Sequence, residues 1–347
     1  MKIKRAFAAL LSLVMMLTML PAPVKAADGE TPDDSSGLIT NKTATLTDDG
    51  TYTIDLEAYA TGSVTTIPAK GTPLDIVLVI DQSGSMAYND RGNSTSNASD
   101  RRMYKLQNAV RGFVNSISQN AEEYNADHRI AIAGYASNRN TGQSYDISGL
   151  GYNGNDHGWV NTGLYINGSF TNYGANRNNN NSSQLTTQNY KDALVSVNDA
   201  NGNVAVSITT AINKFKASGG TYTEYGLRMA ENVFQNNPAS YTDSEGQQGT
   251  RKRIVVLFTD GETNSSISDV LDSSNRLKST YAADVYCVGF GSDVDSDFLS
   301  YVSSNYLNSS YHSFLGGEWY NGTYNGNKYS MTAKNSDELN EIFENIS

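Results

Sequence analysis

Four stretches of the chain are apolar almost without a break: "DIVLVI" at 75–80, "RIAIAGY" at 129–135, "RIVVLFT" at 253–259 and "DVYCVGF" at 284–290. Runs of this length predict strands covered on both faces, as in a parallel sheet. Between the first two lies "DRRMYKLQNAVRGFVNSI" (100–117), in which Met103, Leu106, Val110, Phe113, Val114 and Ile117 fall on one helical stripe and Asp100 is placed to cap the start. Further helices fit "TEYGLRMAENVF" (223–234), stopped by Pro238, and "SDELNEIFENI" (336–346), whose Leu339, Ile342, Phe343 and Ile346 share a face. Alternation of strand and helix predicts an α/β fold, a doubly wound and mostly parallel sheet with helices on both faces.

Two regions depart from that rhythm. Residues 41–62, "NKTATLTDDGTYTIDLEAYATG", hold two β-favouring runs around Asp48, Asp49 and Gly50, the signature of a hairpin. Tyr52, Ile54, Leu56 and Ala58 alternate with polar positions, so one face wants burial, and a lone hairpin is marginal in water. From about 137 to 203 the periodicity lapses into Asn, Gly, Ser and Tyr, a partly structured insertion on the sheet's rim. Trp159, Leu164, Tyr165 and Ile166 read as its ordered part and the surroundings of Asn180 as a loose tip.

The first 26 residues place Lys2, Lys4 and Arg5 before a short apolar core, with a small-residue end at Ala26. That is the layout of a secretory leader, and Pro21 and Pro23 interrupt it before the length a membrane span needs. The expected organisation is therefore a leader (1–26), a polar segment with the hairpin (27–71) and the α/β domain (72–347). Loss of the leader's four basic residues moves the formal charge from -11 to about -15, which disfavours nucleic-acid and anionic-membrane partners. Cys287 is the only cysteine, within an apolar run that suits a packed thiol. His128, His157 and His312 lack metal-ligand spacing.

Chemistry concentrates where the first apolar run ends, in "DQSGSM": Asp81, Ser83 and Ser85 on a turn containing Gly84. In open α/β sheets ligands gather beyond the carboxyl ends of the strands. A carboxylate and two hydroxyls offer only oxygen, the preference of hard cations such as Mg²⁺, but one loop does not supply a full shell. Thr221, after Gly219 and Gly220, and Asp260, at the end of another apolar run, supply two further donors at helix-start and strand-end positions. Ser or Asp after a strand also caps helices, the plainer reading of each segment taken alone.

Taken in order, the three segments resemble the von Willebrand factor type A domain with its metal-ion-dependent adhesion site: Asp81, Ser83 and Ser85 match D-x-S-x-S, then Thr221, then Asp260. The resemblance spans about residues 72–347. It implies direct metal contacts from Ser83, Ser85 and, in one state, Thr221, with Asp81 and Asp260 acting mainly through water. The implied cofactor is Mg²⁺, with Mn²⁺ or Ca²⁺ as alternatives, and the implied role is binding an acidic group of an extracellular protein or matrix ligand.

An enzyme is not expected, since no G-x-S-x-G, H-E-x-x-H or phosphate-loop motif is present. "DVDSD" (Asp293, Asp295, Asp297) opens like a calcium loop but lacks its glycine and closing glutamate, so helix capping or surface acidity explains it better. A leader, a hairpin and then such a domain also resemble the start of Gram-positive tip pilins, implying a cell-wall or pilus location, other surface subunits as partners, and further chain beyond residue 347. By the same resemblance Lys42 is a candidate for an isopeptide bond, against the plainer role of a solvated edge lysine. The alternative function is a mainly structural fibre subunit whose metal site stabilises the fold.

Overall fold

The computed structural model describes residues 38–46, 51–60, 71–137, 145–146, 155–156, 161–173, 185–243, 245–261, 263–291, 294–314 and 317–333. The expected leader, Trp159, Asn180, His157, Asp293 and the expected helix over 336–346 lie outside the described residues. The chain divides into two compact units, residues 1–67 and 68–347. In the first, β1 (Leu38–Leu46) and β2 (Tyr52–Ala60) pair antiparallel, Leu46 opposite Tyr52 and Lys42 opposite Leu56.

The second unit is built on an eight-stranded sheet. Its parallel part comprises β3 (Leu74–Asp81), β4 (Arg129–Tyr135), β12 (Lys252–Thr259), β13 (Ala283–Phe290) and β16 (Ser330–Ala333), in the order β16-β13-β12-β3-β4. The insertion contains the short pair β5 (Tyr145–Asp146) and β6 (Asn155–Asp156). It then extends the sheet: β7 (Gly163–Ile166) pairs antiparallel with β4, β8 (Ser169–Asn172) with β7, and β9 (Val195–Ser196) with the start of β4. Where described, the insertion is thus an edge of the sheet, closed by α2 (Thr187–Ala193).

Both faces are covered, which is why the strands read as unbroken apolar runs. On one face α1 (Arg102–Glu123) and α3 (Val206–Asn213) lay Leu106, Val110, Phe113, Ile117, Ile208 and Ile212 over Ile76, Leu78, Ile80 and Phe258. The other face receives α4 (Thr223–Asn236), α5 (Ile267–Ser279) and α6 (Ser296–Val302) on Val77, Val79, Val255, Leu257 and the buried Cys287. Each fully buried side chain of this kind contributes about 1.5–3 kcal/mol, so the α1 stripe outweighs the roughly 1 kcal/mol that Gly112 costs that helix.

Several elements differ from expectation. Asp100 belongs to a separate 3₁₀ turn, and the residue before α1 is Arg101, which makes no side-chain cap. α5 escapes periodicity because Ser273 and Ser274 occupy its buried face beside Val270, Leu271 and Leu277. The hairpin of β14 (Tyr306–Phe314) and β15 (Gly317–Tyr324) is largely exposed and carries no apolar alternation to announce it. Asp295 does cap a helix, accepting the backbone N–H groups of Asp297 and Phe298 at the start of α6.

β10 (Ser240–Thr242) and β11 (Gln248–Thr250) form a small hairpin ahead of β12. Nearby, His128 bridges the beginnings of β3 and β4: the Leu74 N–H donates to its Nδ1 at 3.1 Å, so the ring proton sits on Nε2, 3.0 Å from Asn120 Oδ1. Burial holds this imidazole below its usual pKa. No described helix is long and apolar enough to cross a membrane.

Two expectations follow. A Cβ on Gly226 of α4 would stand 2.5 Å from Val79 Cγ1 and 2.8 Å from Tyr135 Cδ1, whereas one on Gly112 meets nothing within 4 Å. Gly112→Ala should therefore raise stability by about 0.5–1 kcal/mol and Gly226→Ala lower it by about 1–3 kcal/mol, read as opposite shifts in Tm. Secondly, His128 is neutral when folded, so its contribution is complete above the unfolded pKa near 6.5 and is lost as pH falls below that value. Urea unfolding between pH 7 and 5 should show a loss of stability that His128→Gln removes.

Candidate metal centre

β3 and β12 are parallel neighbours in register, Ile80 opposite Phe258, so both strands end at the same rim. Asp81 and Asp260 are therefore brought side by side although 179 positions separate them in the sequence. Both are buried, at 0 % and 1 % exposure, and so is Ser83.

The local turn is set by Asp81 itself. Its Oδ1 accepts the Ser83 N–H at 2.8 Å, an Asx-type turn that throws the chain into the 3₁₀ segment Gly84–Ala87. The hydroxyls of Ser83 and Ser85 then stand 3.0 Å apart, and the Ser85 hydroxyl donates to Asp260 Oδ1 at 2.7 Å. The other Asp81 oxygen accepts the Thr259 hydroxyl at 3.1 Å, and the Tyr135 hydroxyl, which donates to Phe258 O at 2.9 Å, stands 3.3 Å from it. Asp81, Ser83, Ser85 and Asp260 thus form one continuous polar cluster.

Thr221 arrives on a separate loop. Gly84 N–H donates to Gly219 O at 2.9 Å, and Ser218 N–H to Gln82 O at 2.8 Å, so the two loops are stitched backbone to backbone. Gly219 has φ +96°, a conformation other residues rarely adopt, and a Cβ on Gly84 would press within 3.3 Å of the Gly219 carbonyl. Asn264 clamps Thr221 from the far side: its Oδ1 accepts Thr221 N–H at 2.7 Å and its own N–H donates to Thr221 O at 2.6 Å. Thr221 is placed at the start of α4, beside the turn that carries Ser83 and Ser85.

Four further supporting residues were not singled out from the sequence. Gln82 is buried behind the turn, accepting the Tyr165 hydroxyl at 2.7 Å and donating to Asn161 O at 3.0 Å, and so ties the site to the insertion. Tyr135 and Thr259 buttress Asp81. Arg102 is fully buried, and its Nη1 donates to Asp260 Oδ2 at 3.0 Å. Its signal was available, since Arg102 stands four residues before Leu106 on the buried stripe of α1, where a guanidinium demands an acidic partner.

Electrostatically the site is strained in favour of a cation. Burial, then repulsion from Asp260, pushes the Asp81 carboxyl up to about 7. Burial also raises Asp260, opposed by Ser85 and Arg102. Among the described residues no group of three or more His, Cys, Asp or Glu forms a metal cage, so hydroxyls must complete any donor set. Two carboxylates and three hydroxyl-bearing residues give oxygen only, which fits Mg²⁺ or Mn²⁺ and not a soft metal.

Residues 163–318 match the family model of the von Willebrand factor type A domain, a span that includes Thr221 and Asp260 and begins after Asp81, Ser83 and Ser85. No curated protein matches the chain. Among solved structures it is similar to von Willebrand factor type A from Catenulispora acidiphila, at 13% identity and TM-score 0.44, covering 85% of this chain and 44% of that one. It is also similar to PilB minor pilin from Streptococcus sanguinis (12% identity, TM-score 0.44, 89% of this chain and 77% of that one). A third is the pilus adhesin SpaC from Lactobacillus rhamnosus GG (15%, 0.45, 89% and 34%). The chain spans less than half the length of the first of these and about a third of SpaC.

The raised Asp81 carboxyl carries a sign. A carboxyl held above its unfolded value makes the cation-free protein lose stability as pH climbs from about 4 toward 7, and the loss persists above that. Asp81→Asn in EDTA at pH 8 should therefore raise Tm, recovering on the order of a few kcal/mol. A lowered Tm would mean that the buried charge is better compensated than these contacts indicate.

Proposed function

We propose that this chain is a surface-displayed adhesion module, not an enzyme, which takes a divalent cation at Ser83, Ser85, Thr221, Asp81 and Asp260 and through it engages an acidic group of an extracellular protein or matrix ligand. Mg²⁺ is the foremost candidate, with Mn²⁺ and Ca²⁺ as alternatives. The observation that carries this reading is the convergence of the two buried carboxylates with the Ser83 and Ser85 hydroxyls at one rim of the sheet. When bound, the cation supplies a concentrated positive charge for a ligand carboxylate.

Arg102 decides the balance of charge. Asp81 and Asp260 alone would neutralise a divalent ion, whereas Asp81, Asp260 and Arg102 together sum to one negative charge, so the loaded site would carry one net positive charge in a low-dielectric setting. That residual charge favours an anionic partner group. Thr259 and Tyr135 hold Asp81 in place, Ser85 orients Asp260, and the Gly84–Gly219 crossing keeps the Thr221 loop against the turn. Secretion through a leader and display on a cell wall or pilus, beside other surface subunits, complete the proposal.

Saturating Mg²⁺ should raise Tm of the wild-type protein by about 5 °C or more, as expected for a ligand far above its Kd. Asp81→Ala and Ser83→Ala should abolish that gain, and Asp295→Ala should not. Capture on an immobilised extracellular-matrix preparation should vanish in EDTA and weaken in Thr221→Ala. Equal Mg²⁺ stabilisation of wild type and Asp81→Ala would reject the cation site, and stabilisation with EDTA-insensitive capture would favour the structural fibre subunit.

A further inference from the structure

A second concavity lies away from the cluster around Asp81. The β14–β15 hairpin folds over α6 and leaves a cleft of about 600 Å³ whose walls include Tyr301, Tyr320, Trp319, Asp295, Asp297 and Glu318. The rings are ordered by mutual stacking: Tyr301 lies on Tyr306 (centroids 4.1 Å, 18°) and on Tyr320 (4.9 Å, 14°), Tyr311 tilts onto Tyr320 at 5.1 Å, and His312 stacks on Trp319 at 5.4 Å. The aromatic surface is accordingly rigid before any ligand arrives. Trp319 remains 51% exposed, a large indole face left to solvent.

The charges in the cleft have one sign. Asp295, Asp297 and Glu318 all line it, and none of the described lining residues is Lys or Arg. Burial raises the Tyr320 hydroxyl, and Asp295, Tyr311, Asp297 and Glu318 raise it further. Lys278, near the base of the hairpin, points its ammonium at the carbonyls of Ser303 (3.1 Å) and Tyr306 (2.8 Å) and is not among the cleft's walls. Flat π-faces beside carboxylates that meet no Lys or Arg among the described lining residues match a planar cation, which stacks on the rings and donates in-plane hydrogen bonds to the acids. A neutral sugar would use the rings but leave the carboxylates without a counter-charge.

We propose that this cleft is a second binding site that takes an arginine side chain from a basic segment of a protein partner. It uses none of the residues assigned to the cation and does not rest on that assignment. Thr263 is the nearest link between the two, lining the cleft while its hydroxyl donates to Thr221 O at 3.1 Å.

Calorimetric titration of the full chain in EDTA tests the proposal, with an acetylated and amidated Gly-Arg-Gly-Arg-Gly peptide as probe. The controls are the same peptide with citrulline for arginine, which keeps shape and loses charge, and cellotetraose. The arginine peptide should bind, citrulline should weaken it about tenfold, and higher ionic strength should weaken it further. Asp297→Asn and Glu318→Gln, both at exposed positions compatible with folding, should each cost about threefold, and Trp319→Ala about fivefold. Asp81→Ala should leave the titration unchanged, which separates this site from the cation site. Equal binding of the citrulline peptide, saturable binding of cellotetraose without peptide binding, or indifference to both carboxylate substitutions would overturn it.

Discussion

The constraint on which the rest of the structure depends is the burial of two carboxylates at the ends of adjacent parallel strands. Neither Asp81 nor Asp260 has access to bulk water, and their mutual repulsion adds to the cost of removing each from it. The surrounding fold offsets that cost group by group. Asp81 accepts the Ser83 N–H and the Thr259 hydroxyl, with the Tyr135 hydroxyl 3.3 Å away; Asp260 accepts Ser85 and Arg102. Asp81 nonetheless remains displaced toward its neutral form, so compensation within the chain is incomplete. An electropositive group entering at this rim would complete it.

Parallel topology is what forces the acids together. Strands joined by helical crossovers must all point the same way, so residues closing equivalent strands collect at one rim, where the loops have room to present side chains. The Thr221 loop is added through main-chain hydrogen bonds and two glycines, a junction of backbone against backbone that tolerates little side-chain volume. Gln82 extends the same support outward, since its amide joins the turn to Tyr165 and Asn161 of the insertion. The insertion is thus part of the scaffold that holds the turn, because β7 and β8 continue the sheet past β4.

The β14–β15 hairpin follows a different logic. Its Tyr311 and Tyr320 rest on the edge of the core while its other rings stack on one another and on Tyr301 of α6, and Asn275 of α5 fixes the strand, its amide donating to Ser309 O while its Oδ1 accepts Ser309 N–H. A rigid surface that is not consumed by packing remains available for contact. Among the described residues Thr263 links it to the rim around Thr221, so the two surfaces are neighbours.

How much was legible in the sequence follows from the range of each interaction. The runs at 75–80, 129–135, 253–259 and 284–290 announced buried strands because a strand covered on both faces has no polar alternation to lose, and helix α1 announced itself through Leu106, Val110, Phe113 and Ile117. The turn of Asp81, Ser83 and Ser85 was legible for the same reason: an Asx turn is made within three residues. α5 and the β14–β15 hairpin were not, since buried serines and exposed tyrosines blur the periods that burial normally writes into a chain. By itself the sequence determined which segments would be interior strands and which residues would carry oxygen donors. Only the tertiary structure decided that Arg102 would meet Asp260 across 158 positions, that Asn264 would clamp Thr221, and that three acids would face a stacked aromatic wall. Those pairings are contacts between distant segments, and a pattern local to either partner does not encode which surface the other will present.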